Sequence, residues 1–176
     1  MPGKTALRVL AFLFALLFAV GCATVAQSPP PVPYPRAPDL PFFHLDGTTT
    51  TLDDYAGKSV LVVNFWGLRC QNCIEEMPFL EKLHNKYAPK GLVILGVNTD
   101  GVPADLLKRF LPQLPVTLSY PLVVDPDFTL ADGFKMTAAP LTVLIARDSS
   151  VRYRHEGYDP SNEAEYVRII EELLDQ

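Results

Sequence analysis

The stretch Ser59-Val60-Leu61-Val62-Val63-Asn64-Phe65 runs straight into Trp66-Gly67-Leu68-Arg69-Cys70-Gln71-Asn72-Cys73-Ile74-Glu75-Glu76-Met77-Pro78. Its first seven residues are rich in β-branched side chains and carry no charge, which predicts a buried central strand. From about Cys70 to Tyr87, Met77, Leu80, Leu83, His84 and Tyr87 recur near one face, which predicts a helix. The pair Cys70/Cys73 therefore falls at a strand-to-helix junction. A helix amino terminus offers unpaired N–H groups and the positive end of the helix dipole, and both favour thiolate over thiol. Arg69 adds a cation in the same direction. Half of a zinc site is one alternative, but the sequence holds no second cysteine pair and no suitably spaced histidines to complete it. A structural disulfide is another, but so short a loop removes little chain entropy. The placement favours a redox-active pair and no bound metal.

Outward from this stretch, strands and helices alternate. Upstream, Phe42–Leu45 and Thr48–Leu52 flank Asp46-Gly47 and read as a hairpin. Downstream come a buried strand over Leu92–Val97, a helix from Pro103 to about Leu111, a short strand at Leu122–Val124 and a short helix over Asp127–Phe134. Leu141–Ala146 and Val151–His155 read as a second hairpin across Asp148-Ser149-Ser150. A last helix opens near Asp159-Pro160, with Tyr166, Ile169, Ile170, Leu173 and Leu174 at core spacing. The expectation is an α/β fold: a central mixed β-sheet flanked by helices, with an N-terminal β-hairpin extension.

The chain has 176 residues, 17 prolines and a net charge of −5. An acidic balance argues against nucleic-acid partners, whose phosphates need a basic surface. Lys4 and Arg8 precede the uncharged run Val9–Val20, which is too short for a membrane span and suits a secretory signal. Ala19-Val20-Gly21-Cys22 resembles a bacterial lipobox, so residues 1–21 are expected to be a signal peptide and Cys22 a lipidation site. Cleavage after Ala26 would instead release a soluble periplasmic protein. Prolines at 29, 30, 31, 33, 35, 38 and 41 predict an extended spacer of about 3.1 Å per residue. The expected division is signal at 1–21, lipidated cysteine and linker at 22–37, and folded domain at 38–176.

The segment Asn64–Pro78, the upstream Leu52-Asp53-Asp54-Tyr55 and Gly57-Lys58, and Ala138-Ala139-Pro140 before an apolar strand together resemble the TlpA-like branch of thioredoxin-fold proteins. That branch comprises extracytoplasmic thiol–disulfide oxidoreductases, including those serving cytochrome c maturation. The resemblance implies a thioredoxin-like fold over most of the chain. It implies Cys70 and Cys73 as the redox-active disulfide and Glu76 as the proton-transferring carboxylate. Pro140 would be a cis-proline presenting backbone to substrate with Ala139, Trp66 would be the aromatic ahead of the motif on the substrate side, with core packing as its alternative reading, and Pro78 would bend the helix. Asn64 stands where cytoplasmic thioredoxins keep a buried Asp. Two features depart from the branch: Arg69 replaces the usual aromatic before the first cysteine, and Gln71-Asn72 between the cysteines lacks proline. Both bear on partner choice and redox direction.

The resulting expectation is a monomeric, membrane-tethered protein-disulfide reductase facing the periplasm. It would need no cofactor and would be recharged by a membrane electron donor. Ala23 after Cys22 favours the outer membrane. A copper carrier of the same fold is the competing class, since two thiolates suit Cu(I), although such carriers space their cysteines by three and add a histidine. A thiol peroxidase is a third, but it wants a threonine three residues before its reactive cysteine, where Cys70 has Gly67.

Overall fold

The computed structural model describes residues 35–176. The expected signal segment, Cys22 and the linker up to residue 34 lie outside these residues. The described residues form strands β1 (Phe42–His44), β2 (Thr49–Thr50), β3 (Val60–Trp66), β4 (Leu92–Asn98), β5 (Leu122–Val124), β6 (Leu141–Ile145) and β7 (Val151–Glu156). Their helices are α1 (Gln71–Tyr87), α2 (Ala104–Phe110), α3 (Thr129–Gly133) and α4 (Glu163–Leu174). The seven strands make one sheet in the order β2-β1-β5-β4-β3-β6-β7. β3, β4 and β5 run parallel, and the hairpin strands at both edges are antiparallel. This is the mixed sheet with an N-terminal hairpin that the sequence predicts.

β3 is central and buried along its whole length. Side chains alternate across a strand, so β3 serves two cores. Val60, Val62 and Trp66 join one core with Met77, Leu80 and Leu83 of α1 and with Tyr166, Ile170 and Leu173 of α4. Leu61, Val63 and Phe65 join the other, with Leu130 of α3, Phe134, and Leu141 and Val143 of β6. The face shared with α1 is tight at Gly96 of β4: a Cβ there would lie 2.8 Å from Leu122 and 2.9 Å from Tyr120. Glycine at that position makes room for the Trp66 and Tyr120 rings.

The fold begins slightly upstream of residue 38. Val151 N–H donates to the Pro35 carbonyl at 2.8 Å and Ala37 N–H to the Ser149 carbonyl at 2.9 Å. Arg36 bridges Ser150. The end of the proline-rich stretch is thus held along the β6–β7 turn, because a proline still offers its carbonyl to a neighbouring strand. Among the described residues no helix is long and apolar enough to cross a membrane.

Candidate active site

β3 ends at Trp66, and residues 67–70 carry the chain into α1. Cys70 is the residue capping α1, and its Sγ accepts the Cys73 N–H at 3.2 Å. The two cysteines are joined as a disulfide. Cys70 is half-buried, whereas Cys73 is buried in the α1 core. The outer sulfur is therefore the one open to a partner, at a helix end that stabilises a thiolate.

Polar groups brace the loop before Cys70. The Asp100 carboxylate accepts Leu68 N–H at 2.8 Å and the Asn98 side-chain amide at 2.6 Å. Thr99 N–H donates to the Trp66 carbonyl at 2.9 Å, and Cys70 N–H to the Gly67 carbonyl at 3.2 Å. The end of β4 thereby positions the turn that holds the cysteines.

Glu76 is fully buried, one helical turn beyond Cys73. Residues three apart on a helix are neighbours, with Cβ atoms about 5–6 Å apart. Glu76 takes hydrogen bonds from Asn64 Nδ2 at 2.8 Å and Thr142 Oγ1 at 2.9 Å, and Asn64 Nδ2 also donates to Thr142 Oγ1 at 2.9 Å. The register makes this triangle: Asn64 lies directly opposite Thr142 on the α1-facing side of β3 and β6. Burial pushes the Glu76 carboxyl up to about 7, against the pull of the hydrogen bonds from Thr142 and Asn64. A hydroxyl can donate or accept, so Thr142 can serve the carboxylate by donating and the carboxylic acid by accepting. The triangle is suited to hold Glu76 with or without its proton.

The Ala139–Pro140 peptide is cis, as the resemblance implies. β6 is antiparallel to β3 and begins at Leu141, opposite Phe65. Ala139 and Pro140 therefore lie at the same end of the sheet as the turn to the cysteines. Glu156, opposite Leu141 on β7, accepts Thr137 N–H at 2.8 Å and pairs with Arg154 at 2.7 Å. The bonds from Thr137, aided by Arg154, hold its carboxyl down to about 2. That brace steadies the segment leading into Pro140.

Of the two readings for Trp66, substrate contact and core packing, the structure matches the second. The resemblance would set it beside substrate, but its ring is only 1% exposed. It points from β3 into the α1 core against Gly96, so it supports the surface from beneath. Pro78 lies within α1 and removes the N–H that would bond the Ile74 carbonyl. His155 stands on β7 opposite Thr142 rather than near the cysteines in sequence. Among the described residues no cluster of three or more metal-ligating side chains occurs. Thr142, Asp100 and Glu156 were not singled out by sequence reasoning. Only their pairing partners mark them, and those are set by the sheet.

A profile of the Redoxin family matches residues 34–170. Thiol-disulfide oxidoreductase ResA of Halalkalibacterium halodurans is 34% identical over 113 residues, 64% of this chain and 62% of the relative. The chain thus spans less than two thirds of that relative's length. ResA of Bacillus thuringiensis subsp. konkukian is 30% identical over 136 residues, covering 77% of this chain and 76% of the relative. Among solved structures, a Chlorobium tepidum protein provisionally described as thiol:disulfide interchange protein DsbE superposes with a TM-score of 0.73 at 26% identity, covering 81% of this chain and 98% of that one. The sheet order, the cysteine pair at the head of α1 and these matches agree, and the chain belongs to the Redoxin family, with the ResA-type proteins of thioredoxin-like fold.

Proposed function

We propose that this protein reduces disulfides of exported partner proteins through the Cys70/Cys73 dithiol. The Cys70 thiolate attacks one sulfur of the partner disulfide, forming a mixed disulfide and releasing the other partner sulfur as a thiolate. The Cys73 thiol gives its proton to Glu76, and the resulting thiolate attacks Cys70 Sγ. This closes the Cys70–Cys73 disulfide and releases the second partner sulfur. Two electrons pass to the partner, and a membrane-held dithiol donor returns them. The observation that carries this reading is the buried carboxyl one turn behind the cysteine pair. With its pKa raised to about 7, Glu76 is matched to accept and return a thiol proton near neutral pH. Ala139 and Pro140 offer backbone to the partner segment. The signal-like Val9–Val20 run and Cys22 support a lipid tether outside the cytoplasm. The resemblance to the TlpA-like branch supports apocytochrome cysteines as one partner class.

The test is the equilibrium reduction potential, titrated in thiol buffers and read by mass after alkylation. A value near or below about −220 mV is expected of a reductant, and one near −120 mV would overturn the direction. Cys73→Ser is expected to accumulate mixed disulfides with partners, and Cys70→Ser to form none. Failure of the reduced protein to act on any small disulfide would overturn the activity itself.

A further inference from the structure

Beside the cysteine pair, between the head of α1 and helix α2, lies a groove of about 670 Å3. Its walls are apolar: Leu68 and Ile74 on the cysteine side, and Val102, Leu106 and Phe110 on the α2 side. Leu107 of α2 is fully buried, while Leu106 and Phe110 stay 37% and 36% exposed. The helix thus anchors itself with one side chain and leaves two apolar neighbours facing water at the groove. Two charged side chains line it, Arg69 and Asp100. The Asp100 carboxylate is engaged by Leu68 N–H and the Asn98 amide. Arg69 is exposed and has no ion-pair partner among the described residues.

Any disulfide that reaches Cys70 brings with it the chain on either side of the partner's cysteine. Residues flanking the pair, Arg69 and Ile74, are themselves walls of the groove, which puts it within reach of the chain on one side of that cysteine. We propose that this groove is the docking surface for the partner's cysteine-bearing segment, and that it selects segments with a bulky apolar side chain and a carboxylate flanking the cysteine. The apolar side chain seats between Ile74 and Phe110, and the carboxylate meets Arg69. The proposal rests on the oxidoreductase reading above and gives it a substrate class.

The probes are short peptides whose single cysteine is joined by a disulfide to 2-mercaptoethanol. One carries Asp and Phe beside the cysteine, a second replaces Asp by Lys, and a third replaces Phe by Ser. With the reduced protein, kcat/KM for the first is expected to exceed the second by about fivefold, the scale of an exposed ion pair. It is expected to exceed the third by about tenfold, the scale of burying part of an aromatic ring. Arg69→Glu should reverse the charge preference. Phe110→Ser, or Leu106→Gln as an independent variant, should remove the apolar preference and keep the charge preference. Each ratio is internal to one protein, so a general change in thiol reactivity cancels. Equal kcat/KM for the peptides with unsubstituted protein overturns the proposal. Self-association abolished by Phe110→Ser, without peptide preference, assigns the groove to a second copy and also overturns it. Bis(2-hydroxyethyl) disulfide separates the two levels. If it is reduced while the peptides are not distinguished, docking fails and the activity stands; if it is not reduced, the activity itself fails.

Discussion

The two faces of β3 are built from adjacent residues of one strand and do different work. Leu61, Val63 and Phe65 face an apolar core, where Phe65 meets Phe134 with ring centroids 5.2 Å apart. Val60, Val62 and Trp66 face α1, but the third residue of that series is Asn64, which holds Glu76 and Thr142. One face gains stability from the transfer of apolar surface alone, which does not depend on pH. The other accepts a buried carboxyl, whose desolvation is costly, within one turn of a reactive cysteine. The strand thus places its stabilising packing and its chemistry back to back, and substitutions can separate them.

The largest effect should come from the apolar face. Phe65→Ala is expected to cost about 3–5 kcal/mol, equally at pH 5 and pH 8, by urea unfolding of the oxidised protein. A pH-dependent loss would break the contrast between the faces.

Glu76→Gln tests the other face. The Glu76 pKa rises from 4.5 unfolded to about 7 folded, so the folded state holds the proton more tightly. Its contribution is most favourable below about pH 4.5, is lost as pH rises to about 7, and stays lost above that. The loss amounts to about 3 kcal/mol at about 1.4 kcal/mol per tenfold change in proton affinity. Relative to the unsubstituted protein, Glu76→Gln should therefore be near neutral at pH 4 and more stable at pH 8. Its disulfide-exchange rate near neutral pH should fall by about a hundredfold. A difference between the two stability curves that is flat with pH would show that Glu76 does not titrate in this range.

Thr142→Val sharpens the same contrast with the smallest effect. It removes a hydrogen bond that lowers the Glu76 pKa, so the carboxyl should titrate at still higher pH. The cost should be about 1–2 kcal/mol at pH 8, where the acceptor is charged, and less at pH 4. An equal cost at both pH values would mean that the hydroxyl serves packing alone.

Much of this architecture was legible beforehand. Apolar runs of strand length marked β3, β4 and β6, and the Asp46-Gly47 turn marked the first hairpin. The Cys70/Cys73 spacing at a strand–helix junction marked the chemistry. Glu76 was singled out by its position relative to Cys73 and by family resemblance, and Ala139–Pro140 by family resemblance. Thr142 was not, because nothing local distinguishes it from any threonine in a strand. It becomes part of the site only because β6 pairs with β3 in the register that sets it opposite Asn64, 78 residues away. Asp100 and Glu156 escaped notice for the same reason, since each braces a loop remote in sequence. Trp66 carried two readings, substrate side or core packing, and strand alternation turns its ring into the α1 core.

The sequence by itself determined where strands and helices form, where the cysteines sit on them and which carboxyl follows one turn later. These are consequences of short-range periodicity and helix geometry. Only the tertiary structure decided which polar groups share a face, how far Glu76 is removed from water and where an apolar groove opens beside Cys70. Those depend on strand register and on packing between distant segments. Desolvation, which raises the Glu76 pKa, arises only when those segments close over it.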